Sequence, residues 1–291
     1  MWSYLLMSSF VRTLLIASVV VLYASKATTP MCGCMDQANV LMDFYHSSNP
    51  AGWTHSDGWG STNCSIPWYG VTCDGASIIK IDLSSNNVAG TLPLSWSSLI
   101  HIVGLYLNDN PTLSGSLPPE WSSMSQLTTL YIFLTNVSGI LPSAWSNMTQ
   151  LQHLNVCWTN ISGTLPSSFS NMTRMVYLQL NSNPLLSGTL PPEWSSMSNV
   201  VTMNLYENNL SGTLPSSWSN MTNVMYLQLQ SNPILGGSLP SAWSSMSSVV
   251  TMNILATNVS GTLPASWSKM TKLSHLQLCN NPLLSGTLPT T

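Results

Sequence analysis

Apolar and polar residues alternate in short blocks that recur over most of the chain. One block has apolar residues at Ile102, Leu105 and Leu107 and ends at Asn110. Alternation with a period of two places Leu105 and Leu107 on one side of a strand and Tyr106 on the other. Each block is therefore predicted to form one short strand, whose Asn bonds backbone groups in the following turn.

A Gly-x-Leu-Pro tetrapeptide follows each block, at intervals of 24 or 25 residues. This period is typical of a leucine-rich-repeat solenoid, in which each repeat buries its apolar side against its neighbours. The predicted fold is an α/β solenoid: a right-handed superhelix with one short parallel strand per repeat, Trp and Met on the convex side, and an N-terminal helical, disulfide-closed cap. Thr135, Thr159 and Thr257 replace the Asn in three repeats, where we expect looser turns. The nine tetrapeptides begin at Gly90, Gly115, Gly139, Gly163, Gly188, Gly212, Gly237, Gly261 and Gly286.

The chain divides into three regions that differ in composition and sequence pattern. Residues 1–27 are predicted to be a signal peptide, because Arg12 precedes an apolar run over 14–24 and small residues flank a cleavage point after Ala27. The run is short for a membrane span, so a signal peptide is favoured over an uncleaved anchor. Residues 28–77 are expected to form the cap, and residues 78–291 the solenoid of nine repeats, of which the last is truncated.

The cap contains four of the six cysteines. Cys64 and Cys73 bracket a compact turn and are predicted to form a disulfide in an oxidising compartment. The pairing of Cys32 and Cys34 stays open, because a Cys-x-Cys bridge is strained. Two further cysteines in distant repeats are expected to be unpaired thiols, with intermolecular links as the alternative. A helix is predicted from the spacing of four apolar residues behind an N-cap at Asp36, namely Val40, Leu41, Phe44 and Tyr45.

Charge is scarce along the whole chain. Only 5% of the residues are charged, the net charge is −3, and six Lys and Arg residues are scattered. Nucleic-acid binding, which depends on neutralising phosphates, is therefore excluded. If the chain is secreted, glycans are expected to supply solubility at Asn-x-Ser/Thr sites, although a Ser-, Thr- and Asn-rich repeat also produces such sites by chance. The eight sites are Asn63, Asn136, Asn147, Asn160, Asn171, Asn209, Asn220 and Asn258.

Aromatic and amide side chains dominate the strand positions that point away from the core. Aromatic rings stack on sugars, and amides both donate and accept hydrogen bonds, while Tyr is also a favoured anchor for protein partners. Strand propensity and amide ladders alone would also select these residues. The candidate binding residues on the concave sheet are Tyr106, Tyr131, Phe133, His153, Asn155, Tyr177, Gln179, Asn204, Tyr206, Tyr226, Gln228 and Asn253.

Catalytic and metal chemistry has little support in the sequence. His153 and His275 lie five repeats apart, roughly 24 Å at the usual strand spacing, and cannot share one small site. His55, Asp57 and Ser61 lie close together in the cap, but no nucleophile motif accompanies them. We therefore expect no catalytic residues, no metal, no cofactor and no enzymatic activity.

Two sequence motifs resemble those of known protein families. Trp68 to Cys73 followed by Leu-x-Gly-x-Leu-Pro repeats is similar to the cap and repeats of plant extracellular leucine-rich-repeat proteins. The run Leu-Pro-Pro-Glu-Trp-Ser-Ser-Met, ending at Met124 and again at Met197, resembles the promastigote surface antigens of trypanosomatid parasites, and the similarity covers about residues 36–291. This resemblance implies a secreted or surface-displayed glycoprotein concerned with attachment, host interaction or protection.

The function expected from these observations is recognition, adhesion or antigen display through the concave sheet. The expected partner is a protein or glycan ligand on another cell or host. Two alternatives are a secreted inhibitor of a hydrolase and a purely structural coat glycoprotein. Proteins of the resembling family often continue into a lipid-anchor signal, whereas here the last repeat reaches Thr291 without its Trp and Met. Membrane tethering and completeness at this end therefore stay open.

Overall fold

Short strands from successive repeats build one long sheet. The computed structural model describes residues 37–61 and 66–287. The sheet begins with an antiparallel pair and continues with parallel strands, one from each repeat. Its ten strands, in spatial order, are Val71–Asp74, Ser77–Asp82, Gly104–Tyr106, Thr129–Tyr131, His153–Asn155, Tyr177–Gln179, Thr202–Asn204, Tyr226–Gln228, Thr251–Asn253 and His275–Gln277.

The register of this sheet aligns equivalent positions of the repeats. Tyr177 pairs with His153 on one side and with Thr202 on the other. The leucines point inward: Leu105 and Leu107 are fully buried, whereas Tyr106 between them is half-buried on the opposite face. The predicted solenoid and its strand positions are therefore confirmed.

A second parallel sheet, which the sequence did not predict, runs beside the first. Its strands come from the segments around the first Gly of each Gly-x-Leu-Pro tetrapeptide, such as Asn160–Thr164, in which Ile161 points inward. The hydroxyl of Ser162 donates to the carbonyl of Gly139 at 3.1 Å and so ties neighbouring repeats together. Gly188 has a φ of +79°, and a Cβ there would lie 2.7 Å from the Thr164 methyl group. The seven strands are Ser138–Ile140, Asn160–Thr164, Leu185–Thr189, Asn209–Thr213, Ile234–Ser238, Asn258–Thr262 and Leu283–Ser285; Gly90–Thr91 and Leu113–Ser114 form a separate pair.

The remaining side of each repeat is a single 3₁₀ turn. Trp121 and Met124 are both fully buried and lie three residues apart, a spacing that aligns side chains in this tight helix. Indole rings of successive repeats stack with centroids 6.2 to 6.5 Å apart, and Phe169 replaces one of them. The turns are Leu94–Ser98, Pro119–Ser123, Ser143–Asn147, Ser167–Asn171, Pro192–Ser196, Ser216–Asn220, Ser241–Ser245 and Ala265–Lys269.

Buried Asn side chains bind the turns after the strands, as predicted. The amide of Asn183 donates to the carbonyls of Val156 and Leu180 at 3.0 and 2.9 Å. Its oxygen accepts a 3.0 Å bond from the backbone N–H of Thr159 and lies 2.7 Å from the hydroxyl of Thr159. That hydroxyl is also 3.1 Å from the carbonyl of Val156, so its single proton is shared between the two acceptors. The expectation that the Thr turns are looser was wrong, because Thr159 is buried and its hydroxyl takes over one of the bonds of the missing Asn.

The first repeat is covered by a cap rich in aromatic residues. The helix Ala38–Ser47 spans the predicted helical positions, and Leu41 and Phe44 are buried on it. Phe44 contacts Trp96 of the first repeat with ring centroids 4.8 Å apart. A short 3₁₀ helix, Pro50–Gly52, follows the α-helix of the cap and precedes Trp53.

Several predictions for the N-terminal region fall outside the described residues. These are the signal peptide at 1–27, the N-cap at Asp36, and Cys32, Cys34 and Cys64. Cys73 is disulfide-bonded. Its predicted pairing with Cys64 stays a prediction, because Cys64 is one of these residues. In the parts of the chain that the structure describes, no helix has the length and apolarity needed to cross a bilayer.

Candidate ligand-binding surface

The outward face of the ten-stranded sheet brings the predicted binding residues together. At its N-terminal end the rings are in contact, and we call this group the aromatic half. Tyr106 meets Tyr131 edge-on at 5.4 Å, Tyr131 lies 6.0 Å from Phe133, and His153 stacks on Tyr177 at 4.8 Å. These contacts fix the rings without burying their outer faces, and Tyr177 stays 39% exposed.

Amide side chains occupy the following repeats, and we call this group the amide half. Its amides are Gln179, Asn204, Gln228 and Gln230, and the rings of Tyr206 and Tyr226 lie in the same repeats. Two of the predicted amides, Asn155 and Asn253, are largely buried and bond within the sheet. Asn155 donates to Gln179 at 2.7 Å and accepts from the amide of Cys157, while Asn253 accepts from the amide of Leu255. These two Asn side chains support the surface rather than face a ligand.

Two acceptors of the amide half have no partner among the described residues. They are Oδ1 of Asn204 and Oε1 of Gln230, and both atoms are buried. Gln230 uses its amide nitrogen to donate to Gln228 at 3.0 Å. Buried acceptors are normally satisfied, so this part of the surface is suited to a donor supplied by water or by a ligand.

Beyond the first repeat the outward strand positions of the sheet carry no charge at neutral pH, and Asp109 and Glu207 lie in the turns that follow the strands. Burial raises the pKa of Tyr131, with smaller effects of Tyr106 and Tyr177, and burial lowers the pKa of His153. The pKa of Tyr206 is raised by burial and by the nearby Cys157 and Glu207, against a hydrogen bond with Asn181. All three groups are therefore neutral. The charged pair Lys80 and Asp82, 3.0 Å apart, lies at the start of the sheet.

A strained apolar rim borders the aromatic half, and the sequence alone did not reveal it. Leu134 and Trp158 occupy equivalent turn positions in adjacent repeats, both with φ of +55°. This left-handed conformation costs about 1–2 kcal/mol for a residue with a side chain. Trp158 is nevertheless 44% exposed. Strained bulky residues of this kind persist where function retains them. The only sequence signal was the bulk of Leu134 and Trp158 at a turn position where other repeats have small or polar residues.

Seven of the eight predicted glycosylation sites lie in the described part of the chain, and all seven are exposed. Asn160 donates to Asn136 at 2.5 Å across the seven-stranded sheet, so these two acceptor sites are neighbours. Asn63 lies outside the described residues. One group follows the seven-stranded sheet, Asn136, Asn160, Asn209 and Asn258, and the other ends the 3₁₀ turns, Asn147, Asn171 and Asn220.

The two cysteines of the repeats are both free, as expected. Cys157 is buried, which raises the pKa of its thiol to about 12 and makes it unreactive. Cys279 is exposed. Within residues 37–61 and 66–287, no three His, Cys, Asp or Glu side chains converge in the manner of metal ligands.

Comparisons with known proteins agree with the observed architecture. The family profile for the leucine-rich repeat matches residues 150–172 and 199–221. Curated protein sequences give no match. The structure is thus a leucine-rich-repeat solenoid.

Solved structures of plant proteins share this fold. One is the Arabidopsis receptor kinase HAESA in complex with the peptide hormone IDA and the co-receptor SERK1, at 27% identity and a TM-score of 0.74 over 88% of this chain and 43% of HAESA. The ectodomain of the Arabidopsis receptor kinase GASSHO1/SCHENGEN3, in complex with CASPARIAN STRIP INTEGRITY FACTOR 2, is 25% identical with a TM-score of 0.64, over 87% and 36%. A plant ice-binding protein, 21% identical with a TM-score of 0.60 over 87% and 98%, shares the fold alone. This chain spans less than half the length of the two receptors.

Proposed function

We propose that this protein is a non-enzymatic recognition module, secreted or displayed at a cell surface, that binds a protein or glycan ligand through the outward face of the ten-stranded sheet. The central observation is that the outward strand positions of the aromatic half and the amide half are uncharged, and that the apolar rim borders them. Recognition there rests on ring stacking and on hydrogen bonds to amides rather than on ion pairs.

The chemistry of each part supports this proposal. Tyr177 and Tyr226 present exposed rings, and aromatic residues are frequent anchors in protein interfaces. Asn204 and Gln230 are partly exposed, and their side-chain amides can form hydrogen bonds with polar groups of a ligand. Trp158 adds a large apolar face at the border.

The structural neighbours support the same class of function. HAESA and GASSHO1/SCHENGEN3 were crystallised with a peptide hormone and with CASPARIAN STRIP INTEGRITY FACTOR 2, respectively. By analogy, we propose an extended polypeptide as the first ligand class to test here. Adhesion and antigen display belong to the same proposal. Glycosylation at the seven exposed Asn sites belongs to it as well, because a protein with few charged residues needs another source of solubility.

The test measures binding of the secreted, glycosylated protein, residues 28–291, to a random peptide library and to intact cells of candidate host types. The variant Tyr177→Ala/Tyr226→Ala removes two exposed rings of the ten-stranded sheet. The control Leu185→Ser/Ile234→Ser changes two exposed residues of the seven-stranded sheet in the same two repeats, with exposed fractions of 59% and 51%. We expect saturable binding by the unmodified protein. The affinity should fall at least tenfold in the tyrosine variant and stay unchanged in the control.

Equal loss in both variants would argue against the assignment of the ten-stranded sheet. If the folded protein binds none of the probes, the proposal of recognition fails and a structural coat is favoured. Stoichiometric inhibition of a hydrolase, lost in the tyrosine variant, would instead identify the protein as an inhibitor.

A further inference from the structure

A groove of about 510 Å³ lies beside the ten-stranded sheet, at the edge where its parallel strands begin. Its floor is Val176, Val201 and Met225, each immediately before a strand of that sheet. Tyr177 and Tyr226 follow the first and last of these floor residues in the chain. The groove therefore borders the surface of the proposed function.

Polar groups line the groove with free acceptors. Asn199 donates to the carbonyl of Thr173 at 2.8 Å, and Asn223 donates to that of Ser198 at 2.9 Å. Both bonds use the amide nitrogens, so the amide oxygens are left to accept from a ligand. An extended polypeptide has backbone N–H groups that can meet them.

One cation stands at the first repeat of the groove. Arg174 is the only Lys or Arg between Lys80 and Lys269, a stretch of 188 residues, in a chain with net charge −3. Its guanidinium donates to the uncharged Gln150 at 2.5 Å. In the described residues no carboxylate lies within ion-pair distance of it. Four or more of its N–H groups are thus free to bind an anion.

We infer that this groove binds an acidic side chain of an extended, otherwise aliphatic and uncharged polypeptide. Arg174 holds the Asp or Glu carboxylate, because guanidinium and carboxylate form paired hydrogen bonds. Val176, Val201 and Met225 cover the neighbouring aliphatic side chains, and Asn199 and Asn223 accept from the backbone. Because the groove borders Tyr177 and Tyr226, this inference rests on the proposed function and names its partner more closely.

The test uses three libraries of acetylated octapeptides built from Ser and aliphatic residues. The first has Asp at one fixed position and an amidated C-terminus, the second has Asn there, and the third combines Asn with a free C-terminal carboxylate. We expect the full chain to bind the Asp library about fivefold more tightly than the Asn library. This preference should weaken with added salt.

Two substitutions test whether the guanidinium of Arg174, rather than positive charge in general, produces the preference for Asp, and a third tests the apolar floor. Arg174→Gln should abolish the Asp preference. Lys272→Gln removes one positive charge at the equivalent position four repeats later, outside the groove, and should leave the preference intact. Met225→Gln should reduce binding of the most aliphatic peptides. All three residues lie at the surface or partly exposed, so the variants are expected to fold.

The outcomes distinguish this inference from the proposed function. Equal binding of the Asp and Asn libraries, or a preference that survives Arg174→Gln, overturns the acidic partner; if that binding still needs Tyr177 and Tyr226, the proposed function stands. Preference for the free C-terminus alone also overturns it, since the carboxylate then comes from a chain end. Binding of no library overturns it as well, and the cell-binding assay then decides the proposed function separately.

Discussion

The indole of Trp194 donates a hydrogen bond from Nε1 to the carbonyl oxygen of Pro166 at 2.9 Å. Equivalent bonds join most other indoles to a Pro of the preceding repeat, at 2.8 to 3.0 Å. Each repeat is thereby fastened to its neighbour on the side opposite the binding surface. Phe169 interrupts this series, because its ring has no donor for the carbonyl of Pro142.

Phe169→Trp should restore the missing bond and stabilise the fold by about 0.5–1 kcal/mol. The matched control is Trp218→Phe, which removes the bond to Pro191 and should cost about 1 kcal/mol. Both values follow from equilibrium unfolding in urea. A destabilising Phe169→Trp would show that the phenyl position cannot accept an indole without displacing its neighbours.

Asn183→Ala should destabilise the protein by about 3 kcal/mol, because it removes the bonds of the side-chain amide to the carbonyls of Val156 and Leu180 and leaves the buried backbone N–H of Thr159 without its acceptor. Asn199→Ala removes one exposed bond and should change stability by less than about 0.5 kcal/mol. Chemical denaturation of both variants checks the difference. A small effect at Asn183 would mean that water replaces the buried amide.

Trp158→Asn should keep or raise stability by about 0.5 kcal/mol, since Asn tolerates the left-handed conformation better than Trp. The same change should weaken ligand binding if the rim contributes to recognition. Thermal unfolding and binding to the peptide library are measured on the same sample. A clear loss of stability would assign Trp158 a packing role instead.

Cys157 should resist alkylation by iodoacetamide in the native protein, whereas the exposed Cys279 reacts. Burial raises the pKa of Cys157 from 9.0 to about 12, so folding favours its neutral thiol. The associated stability is complete below pH 9 and is lost as the pH rises from 9 towards 12, because the unfolded thiol ionises first. Mass mapping and unfolding between pH 7 and pH 11 test this. Cys157→Ala should reduce the pH dependence, and the remainder comes from Tyr131 and Tyr206, whose pKa values burial also raises.

Protonation of His153 should destabilise the folded protein at acid pH. Burial lowers its pKa from 6.5, so protonation is harder in the folded state than in the unfolded state. The stability is complete above pH 6.5 and is lost as the pH falls through the folded pKa. His153→Gln should flatten unfolding profiles between pH 7 and pH 5, and an unchanged profile would contradict the assignment.

The strands of the ten-stranded sheet followed from the sequence because period-two alternation and a fixed repeat length both specify them. Leu105 and Leu107 had to face the core, and Tyr106 therefore had to face outward. The candidate surface was predictable to the same degree. Burial of Asn155 was not, since it depends on Gln179 from the next repeat.

The seven-stranded sheet was missed for a physical reason. The segment Asn160–Thr164 contains a single large apolar residue, Ile161, between polar residues and a glycine, which reads as a loop. It becomes a strand only because the next repeat offers backbone partners at the correct distance. The rim was missed similarly, since the positive φ of Trp158 is set by the turn rather than by its own preference.

The stacking of the indoles also affects the intrinsic fluorescence of the protein. Rings about 6.3 Å apart exchange excitation energy, so each uninterrupted stack emits as a group rather than as separate fluorophores. Phe169 absorbs at shorter wavelength and divides the column into stacks of three and four indoles. Unfolding that starts at one end of the solenoid should therefore change the emission of one stack before that of the other.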